Sequence, residues 1–120
     1  MGNRIFHIQQ LLSQTLGEYW TVERMADIVG LSPDHFKYRF KKVVGISPMA
    51  YLLNLRLEKA HEYLSDPLCF LQIQEIRLPV GFTDDSHFTR NFKKKYGLAP
   101  TQCRLQACEK YQDDFKNSQE

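Results

Sequence analysis

The chain has 120 residues, of which 42% are hydrophobic and 25% are charged, and its formal net charge is +2. This composition is typical of one soluble globular domain, and no apolar run is long enough to predict a membrane span. The three cysteines lack the spacing of a disulfide framework or a metal site. We therefore expect reduced thiols, no metal and no cofactor. The start also lacks the layout of a secretory signal, which favours the cytoplasm.

Helical periodicity and helix-ending residues run through the whole chain, and no strand alternation competes with them. Thr21 is a good N-cap, and Ser32-Pro33 and Ser47-Pro48 are two further helix starts. The pattern predicts seven helices, over about residues 4–16, 22–29, 33–44, 48–64, 72–80, a stretch from Thr83 or Asp84 to 96, and 100–110.

The strongest feature of the sequence is an internal repeat, in which residues 25–48 parallel residues 76–100. Gly30 pairs with Gly81 at an offset of 51, and later positions pair at 52, so the second copy has one residue added in its turn. The pairs at the larger offset are His35 with His87, Phe36 with Phe88, Phe40 with Phe92, Lys41 with Lys93, Lys42 with Lys94, Gly45 with Gly97 and Pro48 with Pro100.

Each copy has the pattern of a helix-turn-helix unit. In the first copy, the small residue Ala26 lies four positions before Gly30, which permits a left-handed turn and a close approach of two helices. The second helix of each copy spaces two phenylalanines at i, i+4, which predicts a core face. Eight of the 16 lysines and arginines lie in two short windows, 37–42 and 90–95, on these second helices.

The opposite face of each second helix is polar and basic. A major groove of duplex DNA admits one helix, whose N-terminal polar residues meet base edges, while lysines further along, such as Lys42 and Lys94, lie near phosphates. The residues predicted on these faces are Asp34, Lys37, Tyr38 and Lys41 in the first copy, and Asp85, Ser86, Arg90 and Lys93 in the second.

With these motifs the chain resembles the AraC/XylS family of bacterial transcription regulators, over about residues 4–106. The helix between the copies has the family's pattern of Pro48, Tyr51, Leu52, Arg56, Leu57, Ala60 and Leu64. The second copy has the family's pattern of Gly81, Phe82, Asp84, Ser86, Phe88, Arg90, Phe92, Lys93, Lys94, Gly97 and Pro100.

The resemblance implies an all-α DNA-binding domain. Its parts are a first helix-turn-helix unit at 4–46, a connecting helix at 48–64, a second unit at 72–106, with the domain ending near 110 and a frayed tail at 111–120. The two second helices would read successive major-groove segments on one face of double-stranded DNA. A connecting helix of about 16 residues spans roughly 24 Å, which is compatible with grooves about 34 Å apart.

The resemblance also implies which side chains contact bases. In the family these are the early exposed positions of each second helix, here Asp34, Lys37, Tyr38, Asp85, Ser86, His87 and Arg90. It further implies a partnership with RNA polymerase and an effector or dimerisation domain outside this chain. This chain would then be either a C-terminal part of a longer regulator, which its abrupt start in the first helix favours, or a small stand-alone member of the family.

The second copy departs from the family pattern at three positions, one of which is Cys103, where an aromatic residue is usual before the next arginine. Arg77 stands where a small residue is usual, and a buried guanidinium without a partner would cost several kcal/mol. We expect Arg77 to reach solvent or to pair with Glu75 or Asp84. Pro79 removes one backbone donor from the last turn of the same helix. The first unit is therefore expected to be the more regular one.

Several positions have two interpretations. Asp34 and Asp85 could each accept a hydrogen bond from cytosine N4 or cap the N-terminus of their own helix. Arg90 could bind guanine or form an ion pair with Asp85 or Asp84. For His35 and its counterpart in the second copy, packing or capping is favoured over a pH switch.

Two other classes of function were considered. An enzyme is disfavoured because the sequence has no set of nucleophile, base and orienting residue, no metal-ligand spacing and no phosphate-cradling glycine loop. A helical protein-interaction module without specific DNA binding is the alternative. It would explain the amphipathic helices but not two basic faces that the repeat places in register.

Overall fold

The chain is all-helical in its computed structural model, which describes the backbone of residues 2–118 and the side chains of residues 3–114. Within this part there are seven helices and no strand, as the sequence predicts. The helices are α1 (Gly2–Gln14), α2 (Val22–Val29), α3 (Pro33–Val44), α4 (Pro48–Ser65), α5 (Ile73–Arg77), α6 (Asp85–Tyr96) and α7 (Pro100–Ser118).

These helices form two compact units, Met1–Arg56 and Leu57–Glu120. The first unit contains α1, α2, α3 and the first half of α4. The second contains the remainder of α4 with α5, α6 and α7. Each unit therefore surrounds one helix-turn-helix with a helix before it and a helix after it, and α4 supplies residues to both.

The core of the first unit is built by apolar side chains at helical spacing. In α1, Ile5, Ile8 and Leu12 recur at three- and four-residue intervals and are at most 1% exposed. They pack with Phe36 and Phe40 of α3, which are completely buried as the i, i+4 spacing predicts. The remaining buried members of this core are Trp20, Met25, Ala26, Val29 and Leu52.

The second unit has a similar core. Phe88 and Phe92 of α6 are completely buried, and their ring centroids are 5.8 Å apart. Phe82 extends this aromatic group, with its ring 5.0 Å from that of Phe88. The other buried hydrophobic residues are Leu57, Ala60, Leu64, Ile76, Val80 and Cys103.

The turns of the two helix-turn-helix units have the same backbone hydrogen bonds. In the first, the N–H of Leu31 donates to the carbonyl of Ala26 at 3.0 Å, across Gly30 with φ of 73°. In the second, the N–H of Phe82 donates to the carbonyl of Arg77 at 3.1 Å, across a glycine with φ of 109°. Both turns require glycine because only glycine adopts such positive φ values without steric cost. The backbone hydrogen bond in each turn satisfies a carbonyl at the end of the preceding helix. The second turn thus retains the bonding of the first despite its altered sequence.

Two helix ends differ from the sequence prediction. The helix expected over 72–80 is regular only as α5, Ile73–Arg77, since Pro79 has no N–H to continue the bonding, and residues 78–81 form a turn. The last helix, expected to end near 110, continues to Ser118, because no glycine or proline follows Pro100 to end it. Residues 111–118, which we expected to fray, are therefore helical, and 119–120 lie outside the described residues.

Each unit uses an arginine to hold the loop that leads into its helix-turn-helix. Arg56 of α4 donates to the carbonyls of Leu16 and Glu18, both at 2.9 Å. Arg104 of α7 donates to two carbonyls of the loop that precedes α5. These guanidiniums supply partners for backbone groups that no helix satisfies.

Candidate nucleic-acid interface

The predicted contact residues are all exposed and lie on α3 and α6. One of them, His87, also has its ring 5.9 Å from that of buried Phe82. We call the two sets the α3 contact face and the α6 contact face. The first consists of Asp34, Lys37, Tyr38, Lys41 and Lys42. The second consists of Asp85, Ser86, His87, Arg90, Lys93 and Lys94. Within each unit, the structure brings together the residues that the sequence placed on one helix face.

The start of α3 is capped by Ser32, whose hydroxyl accepts from the N–H of His35 at 3.3 Å. Asp34 therefore does not supply the cap. Its carboxylate lies in the first turn, is 98% exposed, and is 3.6 Å from the ammonium of Lys37. An exposed pair of this kind is weak, so both side chains can change partners when a ligand binds.

The start of α6 is capped by Asp84, which accepts from the N–H groups of Ser86 at 2.8 Å and His87 at 3.3 Å. The structure thus selects Asp84 rather than Thr83, the other N-cap that the sequence allowed. Asp85 is the first residue of α6 and does not cap it, although an acid in the first turn still suits the helix dipole.

Arg77 has partners other than those predicted. Its Nη1 donates to the carbonyl of Phe82 at 3.0 Å, and its Nε lies 3.8 Å from a carboxylate oxygen of Asp85. The expected pairing with Glu75 is wrong because that carboxylate accepts from the N–H of Gln72. The pairing with the N-cap aspartate is wrong because that carboxylate faces the helix end. Only 13% of the Arg77 side chain is exposed, so it does not extend into solvent.

Arg90 lies in the middle of α6 and is exposed. None of the ion pairs between described residues includes it, so the alternative pairing with Asp84 or Asp85 is absent there. A guanidinium in this state presents its planar set of donors to solvent. That geometry suits the two acceptors on the major-groove edge of guanine.

The lysines near the C-terminal ends of both helices complete the contact faces. Lys41 and Lys42 lie in the last turn of α3, and Lys93 and Lys94 in that of α6, where the helix dipole favours cations. The Lys42 ammonium is 3.5 Å from the hydroxyl of Tyr38. The side chains of these four lysines and of Tyr38 are all exposed.

One cationic feature of the first unit was missed by the sequence analysis. A groove of about 600 Å³ is lined by Asn3, Arg4, Ile5, Leu31, His35 and Arg39. It contains two arginines and no carboxylate, and His35 and Arg39 lie on α3 beside its contact face. Arg39 was recognised only as part of a basic cluster. The sequence did not indicate a role for Arg4, because it is distant in sequence from His35 and Arg39 and lies beside them only through the packing of α1.

Other kinds of site are not seen in the described part of the chain. No helix there is long and apolar enough to cross a membrane. No group of three metal-ligating side chains lies together among the same residues. All three cysteines are free, and Cys103 is buried.

Comparisons with known proteins agree with this geometry. A family model described as a helix-turn-helix domain matches residues 25–106. The chain is 31% identical, over 106 residues, to the virulence regulon transcriptional activator VirF of Yersinia enterocolitica. This alignment covers 88% of the present chain and 38% of that protein. The chain thus spans little more than a third of the length of the curated relatives it matches first.

Solved structures give the same result. The C-terminal domain of AraT, a response regulator from Geobacillus stearothermophilus, has a TM-score of 0.79 at 30% identity, covering 86% of this chain and 84% of that one. A transcriptional regulator from Chromobacterium violaceum, described as containing an AraC-type DNA-binding domain, has a TM-score of 0.78 at 25% identity, with 88% and 93% covered.

Proposed function

Because this chain belongs to the AraC/XylS family of transcription regulators, we propose that it binds double-stranded DNA at specific sequences through α3 and α6 and thereby regulates transcription. The observation that carries this proposal is the pair of contact faces. Each lies on the second helix of a helix-turn-helix unit, consists of exposed residues, and has cations toward its C-terminal end. Each helix would occupy its own segment of the major groove, and the two segments would follow one another along the duplex.

The side chains divide into two roles. The side chains that meet base edges lie in the first half of each helix, and they are Lys37, Tyr38, Ser86, His87 and Arg90. The four lysines toward the helix ends meet phosphates, which carry no sequence information directly but fix the position of the helix in the groove. Arg90 is the strongest candidate for direct base recognition, since it is exposed and has no competing ion pair among the described residues.

The cationic groove of the first unit extends the α3 contact face. Arg39 lies beside that face, and Arg4 and His35 line the same groove. A phosphate in this groove would meet two guanidiniums without a neighbouring carboxylate. We include Arg4 and Arg39 among the phosphate contacts for this reason, and His35 as a hydrogen-bond donor to the same group.

Selection from a random double-stranded DNA library, followed by a salt titration on the selected site, tests the proposal. We expect two short blocks of preferred bases about one helical turn apart. With about five phosphate contacts, the plot of log affinity against log salt concentration should have a slope of about −4 to −5. A matched control is Lys59→Gln, which removes a cation of α4 outside both faces and should leave the slope unchanged.

The result that would overturn the proposal is also clear. If the chain is helical by circular dichroism but binds no duplex at low salt, the contact faces do not bind DNA. Such a result would favour the alternative, a helical protein-interaction module. A single block of preferred bases would retain DNA binding but contradict the use of both helices.

We also propose that the whole protein has a further domain and acts through RNA polymerase. The chain matches only part of each longer relative, so an effector or dimerisation domain would lie outside it. RNA polymerase is the partner through which a bound regulator of this family would act, in the cytoplasm. Pull-down of RNA polymerase by the DNA-bound chain tests this partnership separately from DNA binding.

A further inference from the structure

The two units differ most at one position of their repeat. Ala26 in the first unit is 1% exposed and contributes only a small side chain to the core. Arg77 replaces it in the second unit, and yet the turn that follows has the same backbone hydrogen bonds. The arginine is therefore accommodated without a change in turn bonding, and its long side chain extends toward the start of α6.

The side chain of Arg77 joins the turn to the contact face. Its Nη1 donates to the carbonyl of Phe82, which lies in the turn, at 3.0 Å. Its Nε is 3.8 Å from a carboxylate oxygen of Asp85, the first residue of α6. That distance is too long for a hydrogen bond, and Nε is buried with no hydrogen-bond partner among the described atoms. The interaction with Asp85 is thus an attraction between charges, one of them largely removed from water.

The acid in the first turn of α3, which is the second residue of its helix rather than the first, is held differently. Asp34 interacts with Lys37, and both side chains are more than half exposed. Solvent and salt screen that pair strongly. The Arg77 side chain is only 13% exposed, although that of Asp85 is 72% exposed, so solvent screens this attraction from one side and less than it screens the pair of the first unit. The two acids at the helix starts therefore differ in how far their negative charge is neutralised.

We propose that Arg77 is a positioning and specificity-determining residue of the second unit, which neutralises Asp85 and holds the turn that sets the start of α6. A free carboxylate at this place would accept a hydrogen bond from cytosine N4 and would repel nearby phosphates. When it is paired with Arg77, Asp85 accepts this hydrogen bond less readily and repels phosphates less strongly. Arg90 therefore dominates base recognition by this helix. The inference rests on the proposed DNA binding, because it assigns roles within the α6 contact face.

The test compares Arg77→Met, Asp85→Asn and the double variant with the unchanged chain, by selection from a double-stranded DNA library and by affinity measurement. Methionine retains the aliphatic part of the side chain without charge or donors. In Arg77→Met the freed carboxylate should create a preference for cytosine, about tenfold, at one base position of the second block. Binding to sites without that cytosine should weaken about tenfold, by repulsion. The double variant should lose the new preference and recover most of the affinity.

The single variant Asp85→Asn independently tests how far Asp85 selects bases while Arg77 is present. Since the paired Asp85 contributes little to base selection, this variant should change the base preferences far less than the about tenfold change expected for Arg77→Met. A purely structural role of Arg77 would give equal losses in Arg77→Met and in the double variant, with no new preference. Lys59→Met, which removes a cation of an exposed pair in the same unit, should change neither measurement.

Three results would overturn the inference. One is a base profile that is the same for Arg77→Met as for the unchanged chain. Another is loss of a cytosine preference in Asp85→Asn, which would show that Asp85 already reads a base. The third is a salt slope shallower by about one in Arg77→Met that Asp85→Asn does not alter, which would make Arg77 a phosphate contact.

Folding and the parent proposal are checked separately. Thermal unfolding establishes that each variant folds. If Arg77→Met does not fold, Arg77→Ala takes its place in the test, because alanine is the residue that the first unit has at this position. If the unchanged chain binds no duplex, the proposed function fails. If it binds, and only the predicted changes in preference are missing, the inference about Arg77 fails alone.

Discussion

The Nε of Arg56 donates a hydrogen bond of 2.9 Å to the carbonyl oxygen of Leu16, which lies 40 positions earlier in the chain. A second donor of the same guanidinium reaches the carbonyl of Glu18, also at 2.9 Å. The side chain is partly buried, and this burial lowers the pKa of Arg56 from its ordinary value. Arginine still remains protonated at any physiological pH, so its charge strengthens both bonds. Arg56 thus ties α4 to the loop that leads into α2.

Replacing Arg56 by methionine should lower the free energy of unfolding of the first unit by about 1.5–3 kcal/mol, because hydrogen bonds to a charged donor are lost and a carbonyl is left partly buried. Urea unfolding followed by the fluorescence of Trp20, the chain's one tryptophan, which lies in the core of the same unit, measures this change. Arg90→Met is the matched control. Because Arg90 is exposed, its loss should change the unfolding free energy by less than about 0.5 kcal/mol. Equal effects of the two variants would show that the Arg56 bonds do not stabilise the unit.

The N-cap of α6 gives a second prediction, one that separates two neighbouring residues. Asp84→Ala removes the acceptor for the N–H groups of Ser86 and His87 and should destabilise the second unit by about 1 kcal/mol. Thr83→Ala removes a side chain that is exposed and does not cap the helix, and it should change stability by less than about 0.5 kcal/mol. Thermal unfolding of the two variants measures both effects. The opposite order would place the helix start one residue earlier than the structure does.

Much of the fold could be predicted from the sequence because its signals are local. Glycine at a helix end, Ser-Pro at a helix start and phenylalanines at i, i+4 spacing each depend on a few adjacent residues. The contact faces follow from the same spacing. The N-cap of α6 could not be assigned in this way, because the extra residue in the second turn allowed both Thr83 and Asp84 as the cap.

The parts that could not be predicted depend on packing between distant segments. The partner of Arg77 is one example. Three carboxylates lie within eight residues of it, and only the path of the turn decides which of them it faces. Arg4 is another, because it meets Arg39 and His35 in a common groove only once α1 has packed on the first unit. Sequence periodicity describes one helix at a time and contains no such information.

Arg90 provides the sharpest test of base recognition. Arg90→Ala should cost about 1–3 kcal/mol of binding free energy on the selected site and relax the preference at one base position. Arg90→Lys separates charge from geometry, since lysine retains the positive charge but lacks the planar set of donors that matches guanine. We expect Arg90→Lys to lose most of the preference while retaining the salt dependence. Unchanged preference in both variants would remove Arg90 from base recognition.

Lys42 should behave in the opposite way, because a phosphate contact acts on every sequence alike. Its ammonium lies in the last turn of α3, 3.5 Å from the Tyr38 hydroxyl, and is exposed. Lys42→Ala should weaken binding to the selected site and to random duplex by the same factor. It should also make the salt slope shallower by about 0.9, the value for one phosphate contact. Fluorescence anisotropy over a range of salt concentrations measures both quantities. Lys59→Ala in α4 is the matched control with no expected change. A sequence-dependent loss in Lys42→Ala would instead assign this lysine to base edges, with Tyr38 orienting it there.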